Sequence, residues 1–328
     1  MESVPVTSTE AELISEINKL KKEKNAVILS HYYMPASIQQ LEREGGVADF
    51  KGDSLGLSIE ATKVKAQNII FCGVNFMAET AKILNPAKNI LIPDKEAGCS
   101  LASSITAQDV IALKKKYPGV PVMAYINTYA ETKAECDVCC TSRNALKIAA
   151  QLPGDTIIFI PDKFMGENLK RQIQATTKKN LILWNGTCEV HEQFSSRSLA
   201  SFQKQFPEAE MLMHWEVPNE TVADNLFTGK GILGSTNDIL TYAGASNSKQ
   251  FILASECDFS STLKAAYPEK EFITPCIYCP YMKKINLQNI LKALQSIGNN
   301  EQQHYEISLN AELLMRAAIP VKRMMELS

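Results

Sequence analysis

The sequence predicts an α/β protein of three analogous domains, each a small parallel sheet flanked by helices, arranged with pseudo-threefold symmetry about a common centre. Three observations carry that prediction. Short apolar runs alternate with helical patterns along the chain, the pattern recurs with a period of about 90 residues, and a cysteine-bearing loop closes each period.

The apolar runs begin at Ala26, Asn68, Asn89, Val120, Thr156, Asn180, Glu210, Gly231, Gln250 and Glu271. Each holds four to six residues without polar alternation, which reads as a strand buried on both faces, and helices between them supply the crossovers of βα units. Four elements recur in phase. A strand ends in a polar triplet: His31-Tyr32-Tyr33, Tyr125-Ile126-Asn127 and His214-Trp215-Glu216. A hydroxyl residue then leads into a helix at Ser54, Ser142 and Ser235-Thr236. A third element matches Ile69 through Glu79 with Ile157 through Glu167, and more weakly with Phe251 through Glu256. The fourth runs from a strand to Gly98-Cys99, to Thr187-Cys188, and to Cys276 and Cys279. These phases divide the chain into a first unit with an N-terminal helix (1–110), a second (111–200), and a third with C-terminal helices (201–328).

Parallel α/β sheets gather functional groups outside the carboxyl ends of their strands. Packed with those ends inward, the three units bring Cys99, Cys188 and either Cys276 or Cys279 beside a ring of His, Tyr, Asn, Ser and Glu. Thiolates suit a soft iron–sulfide core, and three rather than four leave one iron of a 4Fe-4S cluster open as a Lewis acid. His31 and His214 occupy equivalent strand ends, His191 follows Cys188 by three residues, and Glu216, the only carboxylate in the triplets, is placed to shuttle protons.

Composition excludes other classes. Lys and Arg total 34 against 36 Asp and Glu, and the basic runs are short and lack interleaved aromatics, so nucleic acid is not an expected partner. No apolar run spans a bilayer. The N-terminal stretch is charged and amphipathic, with a capping pattern from Ser8 to Glu12 and no leader-like apolar segment, so a reducing cytoplasm is expected and a disulfide framework is not. Nine cysteines are therefore metal ligands or core residues. Cys72 and Cys257 read as packing. Cys136-x-x-Cys139 and Cys276-x-x-Cys279 lie too far apart for a zinc ribbon, whose pairs sit roughly 15–20 residues apart. The latter pair also lacks the proline between its cysteines that a thioredoxin-like motif carries. Gly229 through Gly234 matches a dinucleotide fingerprint but enters a strand instead of leaving one, so it is set aside.

From about Ala26 to Lys284 the chain resembles the quinolinate synthase family. The resemblance rests on His31-Tyr32-Tyr33, Gly52-Asp53-Ser54-Leu55, Ala97-Gly98-Cys99, Tyr125-Ile126-Asn127-Thr128, Thr141-Ser142, Trp184 through Cys188 with His191, His214-x-Glu216, Gly234-Ser235-Thr236 and Cys279-Pro280-Tyr281-Met282. It implies three α/β domains around a central 4Fe-4S cluster with three ligands, and its Cys-Pro-x-Met context selects Cys279 over Cys276. It implies condensation of iminoaspartate with dihydroxyacetone phosphate, with loss of phosphate and two waters, in de novo NAD biosynthesis. An L-aspartate oxidase or aspartate dehydrogenase is the implied source of the imine. Substrate donors would be His31, Ser54, Asn127, Ser142, Ser235 and Thr236, with Tyr33, Tyr125, His214 and Glu216 relaying protons or orienting carboxylates. The chain departs from the family in carrying Trp215 where proline is usual, in a longer loop from Met34 to Gly46, and in Cys136, Cys139 and Cys140.

Overall fold

The computed structural model describes residues 9–226 and 230–328. The first eight residues of the amphipathic N-terminal stretch, Ser8 of its capping pattern included, and Gly229 of the glycine-rich segment lie outside the described residues. Thr9 caps the first helix, Glu10–Glu23, in a capping box with Glu12.

Among the described residues twelve strands form three four-stranded sheets, all parallel. The first holds β1 (Ala26–His31), β2 (Phe50–Gly52), β3 (Asn68–Cys72) and β4 (Asn89–Leu91). The second holds β5 (Val122–Tyr125), β6 (Val138–Cys140), β7 (Thr156–Ile160) and β8 (Asn180–Leu183). The third holds β9 (Glu210–His214), β10 (Gly231–Gly234), β11 (Gln250–Ala254) and β12 (Glu271–Ile273). Their orders are β2-β1-β3-β4, β6-β5-β7-β8 and β10-β9-β11-β12, one topology three times. The register repeats as well: His31 pairs with Gly52, Tyr125 with Cys140 and His214 with Gly234, so equivalent residues end equivalent strands.

The inner strands are apolar because helices cover both faces; every residue of β3 is buried. The short strands β2 and β6 lie at sheet edges and escaped the strand pattern, being three residues long with polar or cysteine content. In the core, one apolar cluster runs through all three units, and a second joins Phe194 and Leu199 from the end of the second unit to Met211 and Met213 of β9 in the third.

After β12 the chain returns to the other units. Helix Leu287–Ser296 packs on Glu10–Glu23, and helix Ala311–Leu327 packs on β6, on Ala130–Lys133 and on Asn75–Leu84. Between them Ile307 donates its amide to the Ile90 carbonyl at 2.8 Å, and Leu91 bridges Glu306 antiparallel at the edge of the first sheet. Among the described residues no helix is long and apolar enough to cross a membrane.

Candidate active site

One cavity of about 690 Å³ opens at the carboxyl ends of β1, β5 and β9, and each unit lines it with the same kinds of group. The strand ends give His31 and Tyr33, Tyr125 and Asn127, and His214 and Glu216. The helix starts give Ser54, Ser142 and Thr236, and the closing loops give Cys99, Cys188 and Cys279. Three of the four in-phase elements singled out in sequence thus meet in one place.

Glu216 is the centre of the hydrogen bonding. Tyr125 donates its hydroxyl to Glu216 Oε1 at 2.6 Å, and His191 Nδ1 lies 3.2 Å from Oε2 and 3.3 Å from Cys188 Sγ. A carboxylate can only accept, so both contacts favour its ionised form. Burial alone would raise its pKa; His191, His214 and the Tyr125 hydroxyl outweigh it and hold Glu216 below the usual carboxylate range. The same burial, with the Glu216 charge next, pushes the Tyr125 phenol well up, so that residue stays a proton donor.

The imidazoles differ in role. The Tyr33 amide donates to His31 Nδ1 at 3.2 Å, which puts the His31 proton on Nε2. Burial, and then the neighbouring His214, lower His31 to about 3. Burial likewise lowers His214 to about 3 against the pull of Glu216. His191 and His214 stack with ring centroids 4.7 Å apart, and His191 Nε2 is buried without a partner. Asn127 Oδ1 is also buried and unpartnered. Both atoms belong to residues of the cavity wall, where a ligand can satisfy them.

Tyr33 reaches across units, its hydroxyl 3.0 Å from Ser255 Oγ and 3.4 Å from Thr236 Oγ1. Ser235 is not in the cavity wall. It caps helix Thr236–Ala245, donating its hydroxyl to Asp238 Oδ2 at 2.6 Å and accepting from the Asp238 amide.

Wall residues beyond the predicted set include Asp53, Thr141 and Glu256. Asp53 caps helix Ser54–Lys63. Glu256 follows β11 at the position that Val74 and Asp162 occupy after β3 and β7; the repeat phase was the signal for it. Its Oε1 accepts from the Cys279 amide at 3.2 Å and lies 3.0 Å from Lys283 Nζ.

Cys276 is drawn away from the cavity by a disulfide to Cys257, with Cα atoms 4.5 Å apart and Cys276 at φ 53°. This corrects two expectations, that Cys257 is inert packing and that the cysteines stay unpaired; the other seven are free. Cys136, Cys139 and Cys140 are buried packing residues around β6, and none lines the cavity.

The wall suits a bound metal cation. It carries three thiols and the carboxylates of Asp53, Glu216 and Glu256 but no Lys or Arg. Burial pushes Cys99 up to about 12 and raises Cys188 and Cys279, and charge on Cys279 raises Cys99 further, as charge on Cys99 does Cys188. A bound cation supplies the charge that turns such thiols into ligands. A smaller metal-capable group overlaps them: ligand atoms of Cys188, His191 and Glu216 lie within 4.8 Å of one another.

A repeated α/β scaffold enclosing one buried, metal-capable pocket with an acid–base pair defines an enzyme acting on small molecules. A family model described as NadA, quinolinate synthetase A protein, matches residues 15–326. The chain is 46% identical over 322 residues to the quinolinate synthase of Caulobacter vibrioides, covering 97% of this chain and 82% of that one. It is 41% identical over 317 residues to that of Sinorhizobium fredii (97% and 83%), and 42% identical over 312 residues to quinolinate synthase 2 of Mesorhizobium japonicum (95% and 90%). The chain belongs to the quinolinate synthetase A protein family.

Proposed function

We propose that this cavity makes quinolinate from iminoaspartate and dihydroxyacetone phosphate, releasing phosphate and two waters. The observation that carries the reading is the convergence of one cysteine from each unit on the pocket that holds the Tyr125–Glu216 pair. Atoms and electrons balance without an oxidant, so the task is proton transfer, dehydration and charge stabilisation.

Cys99, Cys188 and Cys279 would hold a 4Fe-4S cluster, which when bound supplies a Lewis acid at the iron that no protein thiolate occupies. The chain's own groups do the rest. Ionised Glu216 removes a proton from the condensing carbon skeleton and hands it on, while the Tyr125 hydroxyl returns protons to leaving oxygens. With no cationic side chain in the wall, His31, Asn127, Ser54, Ser142 and Thr236 bind the anionic carboxylates and phosphate by hydrogen bonds. The starts of helices Ser54–Lys63 and Thr236–Ala245 add favourable dipoles. Tyr33, held by Ser255, closes the wall above His31. A reducing cytoplasm suits these free thiols, and the unstable imine calls for a nearby source such as an L-aspartate oxidase or aspartate dehydrogenase.

The test is anaerobic purification followed by iron, sulfide and zinc determination and a quinolinate assay. Four irons per chain are expected, lost with activity in Cys99→Ser, Cys188→Ser and Cys279→Ser and kept in Cys276→Ser. One zinc per chain, lost in His191→Ala, would instead assign the metal to the Cys188, His191 and Glu216 group and overturn the cluster.

A further inference from the structure

The residue that aims Glu216 comes from another unit. Asn168 lies on helix Lys163–Thr177 of the second unit and is 1% exposed. Its Nδ2 donates to the Trp215 carbonyl at 2.9 Å and to the Val217 carbonyl at 2.9 Å. These are the carbonyls on either side of Glu216, and one side-chain amide with two donor hydrogens satisfies both. Within the third unit the Trp215 amide donates to the Gly234 carbonyl at 3.2 Å, and the turn closes on itself through the Val217 amide and the His214 carbonyl at 3.0 Å. A proline at 215 would have no amide for the first of these bonds.

We infer that Asn168 is a positioning residue, a clamp by which the second unit fixes the backbone of the Trp215-Glu216-Val217 turn and so the direction of the Glu216 carboxylate. The inference rests on the reading of Glu216 as the proton-transfer group. Tyr125, which donates to that carboxylate, also belongs to the second unit. Asn168 and Tyr125 therefore hold the turn's backbone and its carboxylate from one neighbouring unit, and the pair keeps its geometry only while both contacts last. Misplacement by about 1 Å costs on the order of 100-fold in rate, which sets the scale for losing the clamp.

The experiment is a double-mutant cycle on the anaerobically purified full-length protein, combining Asn168→Leu with Glu216→Gln and measuring kcat by single turnover. Asn168→Leu alone is expected to lower kcat about 10–100-fold with iron content unchanged, and to cause no further loss in the Glu216→Gln background. Trp215 emission gives a readout independent of turnover. In a Trp184→Phe background, Asn168→Leu should raise acrylamide quenching of Trp215, because its carbonyl is no longer held. If Asn168→Leu does not fold, Asn168→Thr, which keeps one donor, is read the same way with a smaller loss. Wild-type kcat in the Asn168 variant, or an equal fractional loss in both backgrounds, overturns the clamp. Full activity of Glu216→Gln sinks the reading of Glu216 itself, a separate failure.

Discussion

His31 and His214 are imidazoles that burial keeps neutral, and this makes stability depend on pH in a definite direction. In the unfolded chain a histidine titrates near 6.5, whereas folded His31 does so at about 3. Between those values the unfolded state binds the extra proton, so stability is complete above pH 6.5 and falls as pH drops toward 3. By pH 5 the loss from His31 is about 2 kcal/mol. His31→Asn should therefore flatten the fall in Tm between pH 7 and pH 5; an unchanged slope in thermal scans would contradict the assignment. His31 and its equivalents were legible because each ends a strand in phase with the others. Asn168 was not. Its partners are main-chain carbonyls of another unit, and a side chain bonded to backbone imposes no residue type on the far side.

At the scale of elements, the repeat revealed ten strands through their apolar runs but not β2 or β6, although β10, their counterpart, was among the ten. Edge strands β4 and β12 are equally short but continue an apolar run, whereas β2 carries Lys51 and Gly52 and β6 two cysteines, so only topology exposes that pair. The same limit explains the cysteines near β6, which look like a metal motif and are core packing. Helix starts show the converse case, since Ser54, Ser142 and Ser235 share a phase while the hydroxyl of Ser235 is engaged in a cap. Ser235→Ala should cost about 1 kcal/mol of stability and leave KM for dihydroxyacetone phosphate within about twofold, whereas Ser54→Ala and Ser142→Ala should raise it. A KM rise in Ser235→Ala matching theirs, at unchanged Tm, would place Ser235 among the substrate donors.

The three units form one pocket only if they are held in place, and Lys283 joins two of them beside the third cysteine. Four residues beyond Cys279, its Nζ donates to the Tyr33 carbonyl of the first unit at 2.8 Å and pairs with Glu256 at 3.0 Å and Asp258 at 2.5 Å in the third. Glu256 is fully buried, and burial raises its pKa against the pull of Lys283. Its Oε1 also accepts the Cys279 amide, so one carboxylate couples the ion pair to the cysteine loop. Lys283→Met strips the buried carboxylate of its counter-charge; Glu256 then takes up a proton, and its hold on the Cys279 amide weakens. Because Lys283 is partly exposed, the expected loss is about 3 kcal/mol, the low end for breaking a buried pair, seen as a lower Tm with less iron retained per chain. Replacing the carboxylate as well, in Glu256→Gln with Lys283→Met, removes the unpaired charge and keeps an oxygen for the Cys279 amide. That double variant should recover most of the Tm and the iron. If Lys283→Met unfolds like the wild type, or the double variant does no better than the single one, the third cysteine is held by packing alone and the first and third units meet without this tie.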